Sequence, residues 1–291
     1  MDSNPLAEVF GFPIDSKSPE AGRYRKSKLC PFNNKVPSCT KDKANDPLGV
    51  CSIFEEGQAI ITCPVRFRED WLIAEHAAQF FFETDTSWTS LAEVKLTDKN
   101  GKAAGNIDLI LVSYDERGRI LDFGSLEIQA VYISGNIRQP FERYMSSRHR
   151  SSNFAWNGPN YPKADFLSSS RKRLAPQMLY KGGILRAWGK KQAVALQTAF
   201  FETLPRLREV PEPKADIAWL LYDLKFHKKS KRFKLTHNKS VYTEFEPTLR
   251  QITTAEPGRI EDFIAVLQHK LDEKLEGNPP DAPTIADITL T

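Results

Sequence analysis

An α/β fold, with a mixed sheet flanked by helices, follows from three features of the chain. Apolar residues at Trp71, Ala74, Ala77, Ala78 and Phe81 keep helical spacing. Three strand-like runs then follow between residues 91 and 133, separated by two tight-turn sequences. Beyond residue 171 a helical stretch leads into two further apolar runs with strand character.

The chain has 291 residues, enough for one large core or two modest ones. Its 40% apolar and 27% charged composition is that of a globular protein. No run of about 18 apolar residues is present, which excludes a membrane-spanning helix. Met1-Asp2-Ser3-Asn4-Pro5 lacks the basic-then-apolar pattern of a secretion signal, so a cytoplasmic protein is expected. Net charge is only +4, but the basic residues cluster. Arg23, Arg25, Lys26 and Lys28 form one group. Arg138, Arg143, Arg148 and Arg150 form another, followed by Arg171-Lys172-Arg173. The densest run goes from Lys225 through Lys228, Lys229, Lys231, Arg232 and Lys234 to Lys239. Such clustering fits an anionic partner such as nucleic acid. Taken singly, each cluster is equally a solvated face.

Residues 1–64 form the first expected segment. All four cysteines, Cys30, Cys39, Cys51 and Cys63, lie in it, with 8, 11 and 11 residues between them. Disulfides do not persist in a reducing compartment, which leaves a metal or ordinary buried thiols. Four thiolates complete one tetrahedral shell around zinc or iron. A metal would hold together a turn-rich stretch, Lys41-Asp42-Lys43-Ala44-Asn45-Asp46-Pro47, that is too polar to fold alone.

The second expected segment, 65–277, opens with the helix around Trp71–Phe81. Leu91–Leu96 reads as a strand. Asp98-Lys99-Asn100-Gly101-Lys102 holds the Asn-Gly dipeptide favoured in hairpins. Asn106–Val112 is a second strand, Asp115-Glu116-Arg117-Gly118 a turn, and Ile120–Ile133 carries a third strand. Within these strands two carboxylates interrupt apolar runs: Asp108 in Gly105-Asn106-Ile107-Asp108-Leu109-Ile110, and Glu127 in Leu126-Glu127-Ile128-Gln129-Ala130. Ionised carboxylates are costly to bury without a partner. Strand side chains alternate, so Glu127 and Gln129 face one way and Leu126, Ile128 and Ala130 the other. Antiparallel pairing of the two strands can bring Asp108 beside Glu127, where the pair suits a magnesium ion. The ordinary alternative is a surface strand with outward acids.

Ser134-Gly135-Asn136-Ile137-Arg138-Gln139-Pro140 follows the Glu127 strand and offers side chains to bases and phosphates. Arg171–Trp188 fits a helix containing Gly182-Gly183, where the glycines mark close packing. Ala193–Phe200 and Ile217–Leu224 read as strands. Lys225–Lys239, interleaved with Phe226 and Phe233, reads as a basic hairpin tip, either a phosphate contact or a protected sheet edge. Arg259–Leu275 is an amphipathic helix with Ile260, Phe263, Ile264, Leu267 and Leu271 on one face. Residues 278–291, with Pro279, Pro280 and Pro283 around them, read as a flexible tail.

Asp108 followed by Glu127-x-Gln129 resembles the PD-(D/E)XK nuclease core, with glutamine in place of the usual lysine. Together with Leu29-Cys30-Pro31-Phe32, Ser38-Cys39, Gly49-Val50-Cys51, Cys63-Pro64, Gly135 and Gln177-Met178-Leu179-Tyr180-Lys181, the chain resembles the NotI family of type II restriction endonucleases. The likeness covers roughly residues 5–200, and the proline-aspartate pair of the core's name is absent, since Asn106-Ile107 precede Asp108. The family's namesake also has glutamine at the position matching Gln129. The resemblance implies magnesium-dependent hydrolysis of double-stranded DNA to 5′-phosphate ends. Asp108, Glu127 and Gln129 would be catalytic, with Asp108 and Glu127 on the metal. Cys30, Cys39, Cys51 and Cys63 would hold a structural iron, or zinc on the donors alone, in a segment that takes part in DNA binding. It further implies a homodimer, a GC-rich palindromic site and a cognate DNA methyltransferase as genetic partner. Glu69 and Glu75 are the candidates for a third carboxylate.

The five histidines, His76, His149, His227, His237 and His269, show no paired metal-ligand spacing, which argues against a histidine-based nuclease. No phosphate-binding glycine loop is visible, so no ATP requirement is expected. The competing readings are a non-catalytic, metal-stabilised DNA-binding protein and a structure-directed DNA repair or phage nuclease.

Overall fold

A computed structural model describes residues 4–33, 37–43, 45–146, 160–255 and 257–276. Residues 1–253 form one compact unit and 254–291 a second.

The first unit is built on a six-stranded mixed sheet. Its strands are β5 (Trp88–Thr97), β6 (Ala103–Tyr114), β7 (Ile120–Gln129), β10 (Gln192–Gln197), β11 (Ile217–His227) and β12 (Arg232–Thr243), in the order β12-β11-β10-β7-β6-β5. Strand β10 runs parallel to both β7 and β11, and the other pairs are antiparallel. The expected meander is therefore present as β5–β6–β7. Both of its turns close as their sequences require. Gly101 and Gly118 each take φ +75°, while Asp98 and Asp115 accept backbone N–H groups across the turn.

The helix Leu72–Phe81 covers one face of the sheet. Ala74, Ala77, Ala78 and Phe81 pack there with Leu126, Ile128, Ala193, Ala195, Leu220 and Tyr222. The opposite face carries Val194, Leu196, Trp219 and Leu221, packed with Leu174, Met178 and Phe245. Those last three come from a helical stretch, 166–187, and from the helix Phe245–Thr253. Alternation along β10 and β11 thus separates two cores, as two buried faces demand.

Strands β5, β6 and β11 run up to three residues beyond their expected ends, and three other elements differ more. The strand expected over Ile120–Ile133 ends at Gln129, because Val131 N–H turns aside to Ile61 O at 2.9 Å. The chain resumes as β8 (Tyr132–Ser134), which pairs with β9 (Lys163–Asp165). The strand expected over Ala193–Phe200 ends at Gln197, whose side chain bonds Ile61 N and Ala59 O. The helix expected over Arg171–Trp188 begins earlier and contains two π-helical turns, Ser170–Leu174 and Met178–Gly182.

Strands also run through the cysteine-bearing region. β1 (Leu6–Val9), β2 (Phe12–Pro13), β3 (Val50–Glu55) and β4 (Gln58–Ile61) form a four-stranded antiparallel sheet in the order β2-β1-β3-β4. Leu6, Val9, Val50, Ile53 and Ile60 join the core that holds Trp219. Arg66, fully buried, fastens this sheet to the larger one. Its Nε lies 3.0 Å from Glu8 Oε2, Nη1 2.8 Å from Glu69 Oε2, and Nη2 donates to Phe233 O at 3.0 Å. Burying a guanidinium is tolerable only when its donors are taken up in this way.

The basic run forms the β11–β12 hairpin, with Lys228–Lys231 at its tip. A cleft of about 780 Å³ lies against it, lined among others by Phe12, Lys17, Phe226, Lys228, Lys231 and Arg232.

In the second unit, Ile260–Leu275 is helical, and Ile260, Phe263, Ile264, Leu267 and Leu271 are exposed. The proposed tail, 278–291, lies outside the described residues, as do Arg148, His149 and Arg150. No helix among the described residues is long and apolar enough to cross a membrane.

Candidate active site

The β6–β7 ladder keeps regular register from Ser113 opposite Asp122 as far as Leu109 opposite Leu126. One step further the register places Asp108 opposite Glu127. There the backbone ladder gives way to a side chain: Asp108 Oδ2 accepts the Ile128 N–H at 2.8 Å. Asp108 is half-exposed, so the pair meets solvent on its side, whereas Glu127 is 8% exposed.

Burial pushes the Glu127 carboxyl up to about 8, and the neighbouring Asp108 raises it further, against the lowering effect of Lys181. Lys181 Nζ lies 2.7 Å from Glu127 Oε1. Neither Glu127 oxygen has an aligned hydrogen-bond donor among the described residues. Two carboxylates facing each other can share only a proton or a cation. The donor chemistry suits a hard divalent ion that completes its shell with water and phosphate oxygens.

Gln129 stands on the same face as Glu127 and is 1% exposed. Its Nε2 donates to Gln177 Oε1, and its own Oε1 has no partner among the described residues. Gln177 and Lys181 lie one turn apart on the helical stretch 166–187, which crosses this face of β7. Sequence reasoning singled out Gln177–Lys181 only as part of a resemblance. It did not place Lys181 at the carboxylates, since nothing local separates this lysine from its many neighbours.

Neither candidate for a third carboxylate joins the pair through a hydrogen bond or ion pair. Glu69 is taken up by Arg66, by Lys234 at 3.0 Å and by the Leu235 N–H at 2.6 Å. Burial would raise its carboxyl, but Arg66 and these donors hold it below the usual range. Glu75 is exposed on the helix Leu72–Phe81. Arg138, offered above as a nucleic-acid contact, is paired with Asp42 and with Asp46, at 2.9 Å to the latter. That pairing docks Asp42 and Asp46 onto the helix Arg138–Ser146.

The four cysteines are free thiols. Leu29 and Ser38 bridge, with Cys30 N–H to Pro37 O at 2.7 Å and Cys39 N–H to Lys28 O at 2.9 Å. Cys51 lies on β3 and Cys63 just beyond β4, beside it. Burial raises the Cys30 thiol to about 11, with Cys63 and Cys39 adding to the rise. Burial, then Cys63, Glu8, Cys30 and Cys39, raises Cys51. The four thiols thus lie in one region and influence one another's charge, and their donor chemistry suits iron or zinc. The thiols are not drawn into a ligating shell, and no group of three or more His, Cys, Asp or Glu among the described residues has a metal-holding arrangement. His76 and His237, distant in sequence, do meet, with ring centroids 4.3 Å apart beside Tyr222.

A family model described as "Restriction endonuclease NotI" matches residues 8–235, most of the chain, including Asp108, Glu127, Gln129, Lys181 and the four cysteines. A search of curated proteins finds no match. The chain belongs to the NotI family of restriction endonucleases, type II site-specific deoxyribonucleases acting on double-stranded DNA.

Proposed function

We propose that this chain hydrolyses duplex DNA in a magnesium-dependent reaction at Asp108, Glu127 and Gln129. The observation that carries the reading is the facing Asp108–Glu127 pair, buried on one side and open on the other, with carboxylate oxygens that lack aligned donors. Asp108 and Glu127 hold the ion. Magnesium, when bound, supplies Lewis-acid stabilisation of the phosphate and a more acidic water. Asp108 is oriented by the Ile128 N–H, and Glu127 by the strand it shares with Gln129. Gln129 is held by Gln177 and turns its free Oε1 to the attacking water. The water oxygen attacks phosphorus, the bond to O3′ breaks, and the 3′ oxygen takes up a proton. The phosphate stays on the 5′ end.

The topology supports a PD-(D/E)XK core: helix, antiparallel meander bearing both carboxylates, then a parallel strand returning beside β7. We place DNA phosphates along the basic β11–β12 hairpin and its cleft. Cys30, Cys39, Cys51 and Cys63 hold a structural iron or zinc. A homodimer reads a palindrome, because two-fold protein symmetry mirrors site symmetry. A methyltransferase of the same specificity protects host DNA, and the family resemblance favours a GC-rich site.

The test is digestion of a fully sequenced, unmethylated DNA with magnesium, followed by sequencing of the ends. Discrete fragments sharing one palindromic sequence and bearing 5′ phosphates are expected. Random ends, or cutting that persists when magnesium is replaced by a chelator, would contradict the reading.

A further inference from the structure

We propose that Lys181 is the active-site cation of this enzyme, supplying from the helical stretch 166–187 the positive charge that Gln129 does not bring to β7. The inference rests on the reading of Asp108 and Glu127 as the hydrolytic pair.

Lys181 is 4% exposed, and its Nζ touches Glu127 Oε1 at 2.7 Å and Asn106 O at 2.9 Å. A buried ammonium is costly, so a lysine kept at this depth is held by specific partners. One N–H donates to the Asn106 carbonyl, and the contact with Glu127 Oε1 is an ion pair without an aligned hydrogen bond. The contrast with Arg66 is informative. Around Arg66 the network is closed, with two carboxylates and a carbonyl taking up its donors. Around Lys181 it is open, with Glu127 Oε2 and Gln129 Oε1 buried and without a hydrogen-bond partner. A closed network is what structural support requires. An open one leaves room for a further ligand.

The backbone is shaped to bring this lysine in. Lys181 sits within a π-helical turn, which re-aims side chains relative to regular α-helix and recurs at functional sites. Next to it, Gly182 allows the helix to sit close: a Cβ there would come within 2.7 Å of Phe245 and 3.0 Å of Gln192 Oε1. Opposite, Gly105 on β6 takes φ +124°, a conformation L side chains rarely adopt, beside the Lys181 stem. The helix thus delivers Gln177 to Gln129 and Lys181 to Glu127. During hydrolysis negative charge builds on the phosphate oxygens, and a fixed ammonium beside the carboxylates opposes it.

The test compares wild type, Lys181→Gln and the exchanged variant Gln129→Lys/Lys181→Gln. Cutting of the sequenced DNA, Mn²⁺ binding by titration calorimetry and thermal melting are measured on each. Lys181→Gln should cut about 100-fold more slowly or worse. Its Mn²⁺ affinity should be unchanged or higher, since a like charge has left the site. The exchanged variant, which returns the charge to the strand, should recover to within about tenfold of wild type. The proposal is overturned by Lys181→Gln cutting at the wild-type rate. It is equally overturned if that variant loses Mn²⁺ binding together with cutting, the mark of a merely structural lysine. An exchanged variant that folds and binds Mn²⁺ yet stays inactive overturns it too, and decides the matter should Lys181→Gln fail to fold. Glu127→Ala in the same assay separates the two claims. If it cuts, the hydrolytic pair is wrong. If it does not while Lys181→Gln does, only the role of Lys181 is wrong.

Discussion

Glu127 carries the largest electrostatic load in the site. Its carboxyl lies at about 8 because of burial, then Asp108, with Lys181 working the other way. The sign of the consequence is fixed. A carboxyl raised in the folded state binds a proton that the unfolded chain has already released above about pH 4.5. Stability is therefore full below that value and falls as pH rises towards about 8. The shift corresponds to about 2–4 kcal/mol after allowance for solvent relaxation. In magnesium-free buffer, urea unfolding at pH 5 and pH 8 should show this loss in wild type. It should be smaller by about that amount in Glu127→Gln, which cannot ionise. Equal losses in the two proteins would show that Glu127 does not titrate in this window.

The pairing of β6 with β7 and the helix that crosses them set the site's geometry. The Asp108–Glu127 juxtaposition was legible because strand periodicity and two short turns leave little freedom of register, and each acid interrupted an apolar run. Lys181 was not legible as a site residue. Its burial depends on how closely the helix approaches the sheet, and that is a tertiary property. The close approach at Gly182 can be tested directly. Gly182→Ala places a methyl 2.7 Å from the buried Phe245 ring. It should cost about 1–3 kcal/mol through displacement of the helix and slow cutting by shifting Gln177 and Lys181 together. Gly183→Ala, with nothing within 4 Å of its Cβ, is the control and should leave both unchanged. Identical melting of the two variants would contradict the packing described.

Across the larger unit, long-range pairings complete what local patterns began. The sheet built from Leu6–Val9 and Val50–Glu55 escaped the sequence because its strands are short and distant from one another, and no local alternation marks them. The convergence of the cysteines follows from that sheet: β3 and β4 set Cys51 beside Cys63, and the Leu29–Ser38 bridge brings Cys30 and Cys39. If these thiols hold a metal, elemental analysis of chelator-washed protein should find about one iron or zinc per chain. Cys51→Ser should lose the metal along with several kcal/mol of stability, a fraction of the roughly 10–16 kcal/mol such sites supply. Metal-free protein of unchanged stability would remove the proposed structural site. The basic hairpin was visible in the sequence as a charge run, but its attachment to the amino-terminal sheet through Arg66 was not.

The most direct measurement is the cutting rate of Glu127→Ala beside wild type on sequenced, unmethylated DNA with magnesium, paired with DNA binding by both proteins. The variant should bind DNA as wild type does and make no cuts. A variant that cuts at the wild-type rate would show that the Asp108–Glu127 pair is not where this endonuclease breaks DNA.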